Sequence, residues 1–254
     1  MRVEYLLVSI MLFIVSQPVG ADLLFHYDFE KGELEDASGK NNLGEVRGEP
    51  EQVNGRVGMA LKFDGVDDYI FLCDQNVGPL AFMHDPFTER SAAMWIKADE
   101  VNGDHTIFEE GGDQKGFAIR IIAGKLQFSV ADSSIEATVN ADYTDTDWHH
   151  IAGVYKGGAL YLYIDGKKVA TGNAPYEEVG SHTDQSAIGA TFDADAYGRN
   201  KAEEPWNFFQ GIIDEIRFYD TAITDQEISH LYQQVAVEPG GKLTTVWGKL
   251  RSRG

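Results

Sequence analysis

Asp147-Trp148-His149-His150-Ile151-Ala152-Gly153-Val154-Tyr155-Lys156-Gly157-Gly158-Ala159-Leu160-Tyr161-Leu162-Tyr163-Ile164-Asp165-Gly166-Lys167-Lys168-Val169-Ala170 is the stretch whose reading decides the fold. Two turn signals, Gly157-Gly158 and Asp165-Gly166, cut it into three short runs. An Asp-Gly pair between apolar runs is a strong hairpin signal, because both residues tolerate the positive φ of a two-residue turn. In the middle run Leu160, Leu162 and Ile164 fall on one face, Tyr161 and Tyr163 on the other. The stretch therefore predicts three antiparallel strands in a meander.

The pattern extends in both directions. Leu23 to Phe29, Ala60 to Phe63, Tyr69 to Leu72 and Ser91 to Lys97 read as strands upstream. Ile107-Phe108, Gly116 to Ile122, Lys125 to Val130 and Ile135 to Val139 follow, with Ala123-Gly124 as a hairpin turn. Ser186 to Ala190 and Phe209 to Tyr219 complete the set. Strands at roughly ten-residue spacing with turn residues between them argue for an all-β sandwich. One helix interrupts the series. Thr224-Asp225-Gln226-Glu227 is a capping box, and Ile228, Leu231 and Tyr232 form an i, i+3, i+4 stripe.

These segments in combination resemble the laminin-G-like domains of the concanavalin A-like lectin/glucanase superfamily. Trp148-x-His150-Ile151-Ala152 with Leu160 to Gly166 is similar to one signature of that family. Ala60-Leu61-Lys62-Phe63-Asp64-Gly65-Val66-Asp67-Asp68-Tyr69-Ile70, the strand around Trp95, and Phe209-x-Gly211-x-Ile213-Asp214-Glu215-x-Arg217-x-Tyr219 resemble others. The resemblance spans about Leu23 to Gln234. It implies an antiparallel two-sheet jelly roll with one short C-terminal helix.

Residues 1–21 have the form of a secretory signal peptide: Arg2, an apolar run from Tyr5 to Val15, then Val19 and Ala21 at the small-residue positions before a cut. That run is far shorter than the roughly 20 residues a bilayer span needs. The expected organisation is a signal peptide over 1–21, one sandwich over 22–236 and a flexible basic tail over 237–254, with export to the extracellular space or cell surface. After Gly240 the tail carries Lys242, Lys249, Arg251 and Arg253 and no acid, so residues 22–240 hold 16 basic and 40 acidic residues, a net −24 within a chain of net −20. Such a surface repels nucleic acid and anionic lipid, which excludes both as main partners. Cys73 is the only cysteine, so no internal disulfide can form. It is expected to be a buried apolar residue at a strand end.

Candidate chemistry is sparse. The glucanases of this fold carry a Glu-x-Asp-x-x-Glu strand, which places their carboxylates on one face; the sequence contains no such spacing. Asp214 and Glu215 are adjacent, so a regular strand sends them to opposite faces, as it does His149 and His150. No catalytic residue is expected. Trp95 and Trp148 are expected in the core. The resemblance implies a structural calcium held by Asp28, Asp36, Asn41 and Asp214, where the first strand, its loop and the last strand meet. The alternative for Asp28 and Asp214 is satisfaction by backbone N–H groups or by Arg217. The long polar segment from Thr191 to Asn207 holds Tyr197, Arg199, Asn200 and Trp206, a set suited to stacking on a sugar and bonding its hydroxyls, with Trp206 alternatively packed against the sandwich edge. The expected function is non-catalytic recognition of an extracellular glycan or protein. A structural or adhesive surface component without a small ligand is the alternative, and a glycoside hydrolase of the same fold the more remote one.

Overall fold

The computed structural model describes residues 22–31, 34–73, 80–112, 115–183, 185–192 and 205–234. The proposed signal peptide, the basic tail, Tyr197, Arg199 and Asn200 lie outside the described residues. In chain order the strands begin with β1 (Leu23–Tyr27), β2 (Glu45–Arg47), β3 (Glu51–Asn54), β4 (Met59–Asp64) and β5 (Tyr69–Cys73). A 3₁₀ turn (Ala81–His84) precedes β6 (Glu89–Ala98), β7 (Asp104–Gly112), β8 (Lys115–Ile122), β9 (Lys125–Asp132) and β10 (Ile135–Asp142). Then come β11 (His149–Lys156), β12 (Ala159–Ile164), β13 (Lys167–Asn173), β14 (Ser186–Ile188), β15 (Gln210–Tyr219) and the helix α1 (Asp225–Gln233).

Two antiparallel sheets face each other. One runs β13-β12-β11-β6-β15-β4-β3, with β1 also paired to β15; the other runs β10-β9-β8-β7-β14-β5-β2. The jelly-roll sandwich expected from the sequence is thus present. Asp165 and Gly166 both adopt positive φ, 52° and 72°, as the β12–β13 hairpin requires. Leu160 and Leu162 point into the core, and Tyr163 packs on the opposite face. Burial of alternate residues from both sheets fills the interior, where Phe117 meets Phe128 with ring centres 4.7 Å apart and Phe108 meets Phe218 at 5.0 Å. Each such buried ring contributes about 1.5–3 kcal/mol through removal from water. Gly153 on β11 leaves room for this packing: a Cβ there would lie 2.9 Å from the Phe128 ring.

The outer face of the larger sheet is covered in part by α1. Ile228 and Leu231 bury against Ala93, Ala152, Val154 and Tyr219. The capping box forms as expected: Glu227 N–H donates to the Thr224 hydroxyl, and Thr224 N–H to Glu227 Oε2 at 2.7 Å. Trp95 is buried, but on this outer face rather than between the sheets, and Trp148 is only half-buried. The absence of regular alternation in Glu45–Arg47 and Glu51–Asn54 hides two edge strands from sequence reading.

His149 and Asp165 clamp the meander. The His149 ring places Nδ1 2.9 Å from Asp165 Oδ2 and Nε2 2.9 Å from Asp145 Oδ1, so both nitrogens face acceptors. Only the imidazolium has two N–H donors. Burial opposes that charge, but the two carboxylates outweigh it and raise the His149 pKa.

Two outcomes follow from these contacts. Thr224→Ala removes the helix cap and should cost about 1 kcal/mol, a fall of roughly 2–4 °C in melting temperature for a domain of this size. Because His149 is raised above its unfolded value of 6.5, its contribution is full below that pH and is lost as pH rises through the folded value. Denaturant melts should therefore show His149→Gln costing more stability at pH 6 than at pH 9. An equal cost at both would show that the clamp is not a charge interaction.

Candidate functional site

The signature residues converge on the outer face of the larger sheet. Trp95 on β6 lies between His150 on β11 and Asp214 on β15 as their paired neighbour. Its indole stacks on Tyr232 of α1 at 5.6 Å, meets His150 edge-on at 5.4 Å and carries the Arg56 guanidinium 4.9 Å away. Sequence alternation sends Asp214 and Glu215 to opposite faces, and the structure corrects this. Glu215 has φ 54°, and the β15–β6 register shifts between Asp214 and Arg217. The extra residue forms a bulge, and both carboxylates are buried, Glu215 beside Arg217 and Asp214 against the Gly55–Val57 backbone. Glu215 Oε2 pairs with His26 Nε2 at 3.0 Å and with the Arg217 guanidinium. Burial raises its pKa, but those two partners prevail and hold it below the usual range. Burial pushes His150 down to about 4, assisted by the Arg217 charge. This cluster ties helix, loop and strands together.

The four residues expected to hold calcium are not gathered into one shell. Asp36 Oδ1 accepts from His26 N at 3.0 Å and Ser38 N at 2.9 Å, and Oδ2 accepts from Asn42 N at 2.9 Å. Its carboxylate closes the loop after β1. Asn41 is exposed with φ 61°, a turn residue. Asp28 Oδ1 accepts from Glu30 N at 3.3 Å. Asp214 Oδ2 accepts from Val57 N at 2.9 Å, and a Cβ on Gly55 would fall 2.5 Å from that oxygen. Asp214 Oδ1 is buried without a hydrogen-bond partner among the described residues. Burial, with the Glu215 charge, pushes the Asp214 pKa up to about 7 against the Val57 hydrogen bond. Backbone N–H groups thus hold both oxygens of Asp36.

Among the described residues, one group of three acidic, His or Cys donors has its ligand atoms within 4.8 Å of one another: Asp64, Asp67 and Asp68. They line an open hollow of about 770 Å³ with Glu49, Glu51 and Lys62. Turn formation accounts for their approach. Asp64 Oδ1 accepts from Val66 N at 2.8 Å, and Asp68 accepts from Glu49 N at 2.8 Å and Asp64 N at 3.0 Å.

A second hollow, of about 330 Å³, opens where β6 begins. Phe82, Asp85, Phe87, Glu89, Arg90 and Asp220 contribute to its wall. The 3₁₀ turn presents Phe82, and the pairing of Phe87 with Val179 fixes the next segment. Arg90 is almost fully buried. Its NH1 lies 2.8 Å from Glu110 Oε1 on the opposite sheet, and its guanidinium sits 4.4 Å from the centre of the Phe87 ring. Burial, and the neighbouring Asp22 charge, raise the Asp220 pKa. Sequence reading missed this cleft, since only the cross-sheet pairing of Arg90 with Glu110 aims the guanidinium there. Of the predicted loop residues, Trp206 is described: it is buried and pairs through its backbone with Thr191.

Comparison with known proteins agrees with the architecture. The fourth domain of AbnA, an extracellular arabinanase of family GH43 from Geobacillus stearothermophilus, solved with arabinotriose, superposes with a TM-score of 0.60 at 23% identity over 84% of this chain and 100% of that one. The receptor-binding domain of a botulinum neurotoxin C/D mosaic gives 0.63 at 18% identity over 84% of this chain and 51% of that one. A structure of botulinum neurotoxin type C, whose cell entry depends on two ganglioside molecules, gives 0.65 at 15% over 84% and 51%. The chain thus spans about half of the toxin chains. No curated protein sequence matches it. The model of the laminin-G-type family of concanavalin A-like lectins and glucanases matches residues 64–229, and the chain belongs to that superfamily.

Proposed function

We propose that this protein is an exported, non-catalytic recognition module that binds a neutral glycan in the cleft beside Arg90. The chemistry of that cleft carries the reading. Part-exposed Phe82 offers an apolar ring to the C–H face of a sugar, while Asp85, Glu89 and Asp220 offer acceptors to hydroxyl groups. Arg90 is neutralised by Glu110, so it does not require an anionic ligand. The three rim carboxylates and the net charge of −20 disfavour acidic sugars. A volume of about 330 Å³ falls within the ~300–1,000 Å³ range of small-molecule sites. Two solved relatives of the same fold were studied with arabinotriose or for dependence on ganglioside, which supports glycan as the ligand class. Residues 1–21 supply the route of export. Among the described residues no helix is long and apolar enough to cross a membrane.

A glycan array on the purified protein, followed by titration of its hits, tests this reading. Phe82→Ala and Asp220→Asn should each weaken binding about tenfold or more, as hot-spot truncations do; Asp220→Asn should leave the melting temperature nearly unchanged, whereas Phe82→Ala should also lower it, because that ring packs in part against the core. Arg90→Ala should instead destabilise the fold by about 3–5 kcal/mol, the cost of stranding a buried partner charge. Array hits indifferent to both Phe82→Ala and Asp220→Asn would place the site elsewhere, and a blank array would favour the adhesive, protein-contacting alternative.

A further inference from the structure

Both sheets end on the same side of the sandwich in short edge strands. β3 closes the larger sheet and β2 the smaller, and only Gly48, Glu49 and Pro50 separate them in the chain. Among the described residues β3 has a ladder partner on one side only, β4, to which it pairs from Glu51↔Lys62 to Asn54↔Met59. The other side of such a strand offers a row of N–H and C=O groups, to which an extended segment can add as a further strand. The same edge is acidic. Glu49, Glu51, Asp64, Asp67 and Asp68 line the hollow beside it, against one lysine, Lys62. Val66, in the turn between Asp64 and Asp67, is 68% exposed and adds an apolar side chain there.

The chain carries a segment of matching chemistry outside the described residues. Lys242-Leu243-Thr244-Thr245-Val246-Trp247 is rich in the β-branched and aromatic residues that strands favour. Lys249, Arg251 and Arg253 follow at alternate positions, which an extended chain places on one face. The connection is long enough. α1 ends at Gln233, and its Tyr232 stacks on Trp95, whose ring lies 4.9 Å from the Arg56 guanidinium. Arg56 sits in the turn between β3 and β4, just beyond Asn54. The end of the helix is therefore two side-chain contacts from the Asn54 end of β3. Residues 235–241 can span up to about 25 Å when extended, enough to bring Lys242 to that end. A segment that enters at Asn54 and leaves at Glu51 runs antiparallel to β3, and it delivers its basic residues to the acidic hollow.

We propose that residues 242–247 add to β3 of the same chain as an extra antiparallel edge strand, and that Lys249, Arg251 and Arg253 then lie in the hollow lined by Glu49, Asp64 and Asp67. Three features of the edge fit this occupant together: an open ladder, an excess of carboxylates and an exposed apolar side chain. Backbone pairing holds the strand, and opposite charge fixes its direction along the edge. The added strand would cover an edge that could otherwise pair with another molecule. This docking is independent of the glycan reading, which concerns the cleft at the start of β6.

Hydrogen exchange on the full chain, read by mass spectrometry, tests it. Amides in residues 242–247 should exchange at least tenfold more slowly than in the same peptide free in solution. Thr244→Pro with Thr245→Pro removes ladder N–H groups at any register. It should abolish that protection and speed exchange in β3, while β6 stays protected as the sign of a folded body. Reversing Lys249, Arg251 and Arg253 to Glu should reduce the protection of residues 242–247 tenfold or more. Exchange of residues 242–247 at the free-peptide rate, in protein with a protected β6, overturns the proposal. Protection unaffected by the two prolines overturns it as well. Protection lost with the prolines but indifferent to charge reversal overturns the placement of the basic residues in the hollow. Protection that rises with protein concentration, together with a dimer in sedimentation velocity, would assign the strand to a second copy and overturn pairing within one chain.

Discussion

Strand β15 must serve two faces at once, and the bulge at Glu215 makes that possible. Ile213, Ile216 and Phe218 all enter the core between the sheets, although three residues rather than two separate the first pair. In a regular strand Ile213 and Ile216 would face opposite ways. The extra residue restores the phase and turns Asp214 outward beside Trp95, with Arg217 in line after it. β15 pairs with β1, β4 and β6, so a slip there would displace the centre of the larger sheet. Positive φ at Glu215 is a local cost, and the ion pairs to His26 and Arg217 offset it by fixing the side chain.

That arrangement explains which parts of the molecule were legible in sequence. The meander from His149 to Asn173 was readable because its turns demand Gly or Asp and its strands alternate. The α1 cap was readable because Thr224 and Glu227 satisfy each other within four residues. β2 and β3 carry neither signal: Glu45-Val46-Arg47 is exposed throughout, and its pairing with β5 alone makes it a strand. The bulge was invisible for a related reason, since nothing local to Asp214-Glu215 announces a phase change that only its neighbours enforce. Asp36 shows another limit of sequence reading: a carboxylate in a polar loop looks like a ligand, and its three bonds to nearby N–H groups are visible only in the folded chain. Functional-site reading from sequence suffers most where backbone donors compete with an ion for the same oxygens.

The molecule handles buried polarity differently on the outer face and at the end of the sandwich. On the outer face His26, Glu215 and Arg217 largely complete one another, and Trp95 packs among Tyr232, His150 and Arg56. The stacking of Trp95 on Tyr232 thereby attaches the helix to this face. Between the sheets Arg90 and Glu110 neutralise each other, but His182 Nε2 and Glu110 Oε2 are left over among the described residues. Buried polar groups of this kind destabilise unless something else completes them.

Position gives the second network its significance. The 3₁₀ turn bears Phe82 on the wall of the cleft and ends at His84 beside Cys73. Arg90 likewise has its guanidinium over Phe87 at the cleft and its NH1 on Glu110 in the interior. One short turn and one guanidinium therefore join a surface hollow to an interior set of polar side chains. Rigidity of the surface residues depends on how completely the interior is satisfied, because Phe82 is held by a turn of only four residues. Binding sites work best when their side chains are held before the ligand arrives. The ordering of this end of the sandwich is thus a property of its buried polar core as much as of the loops that surround it.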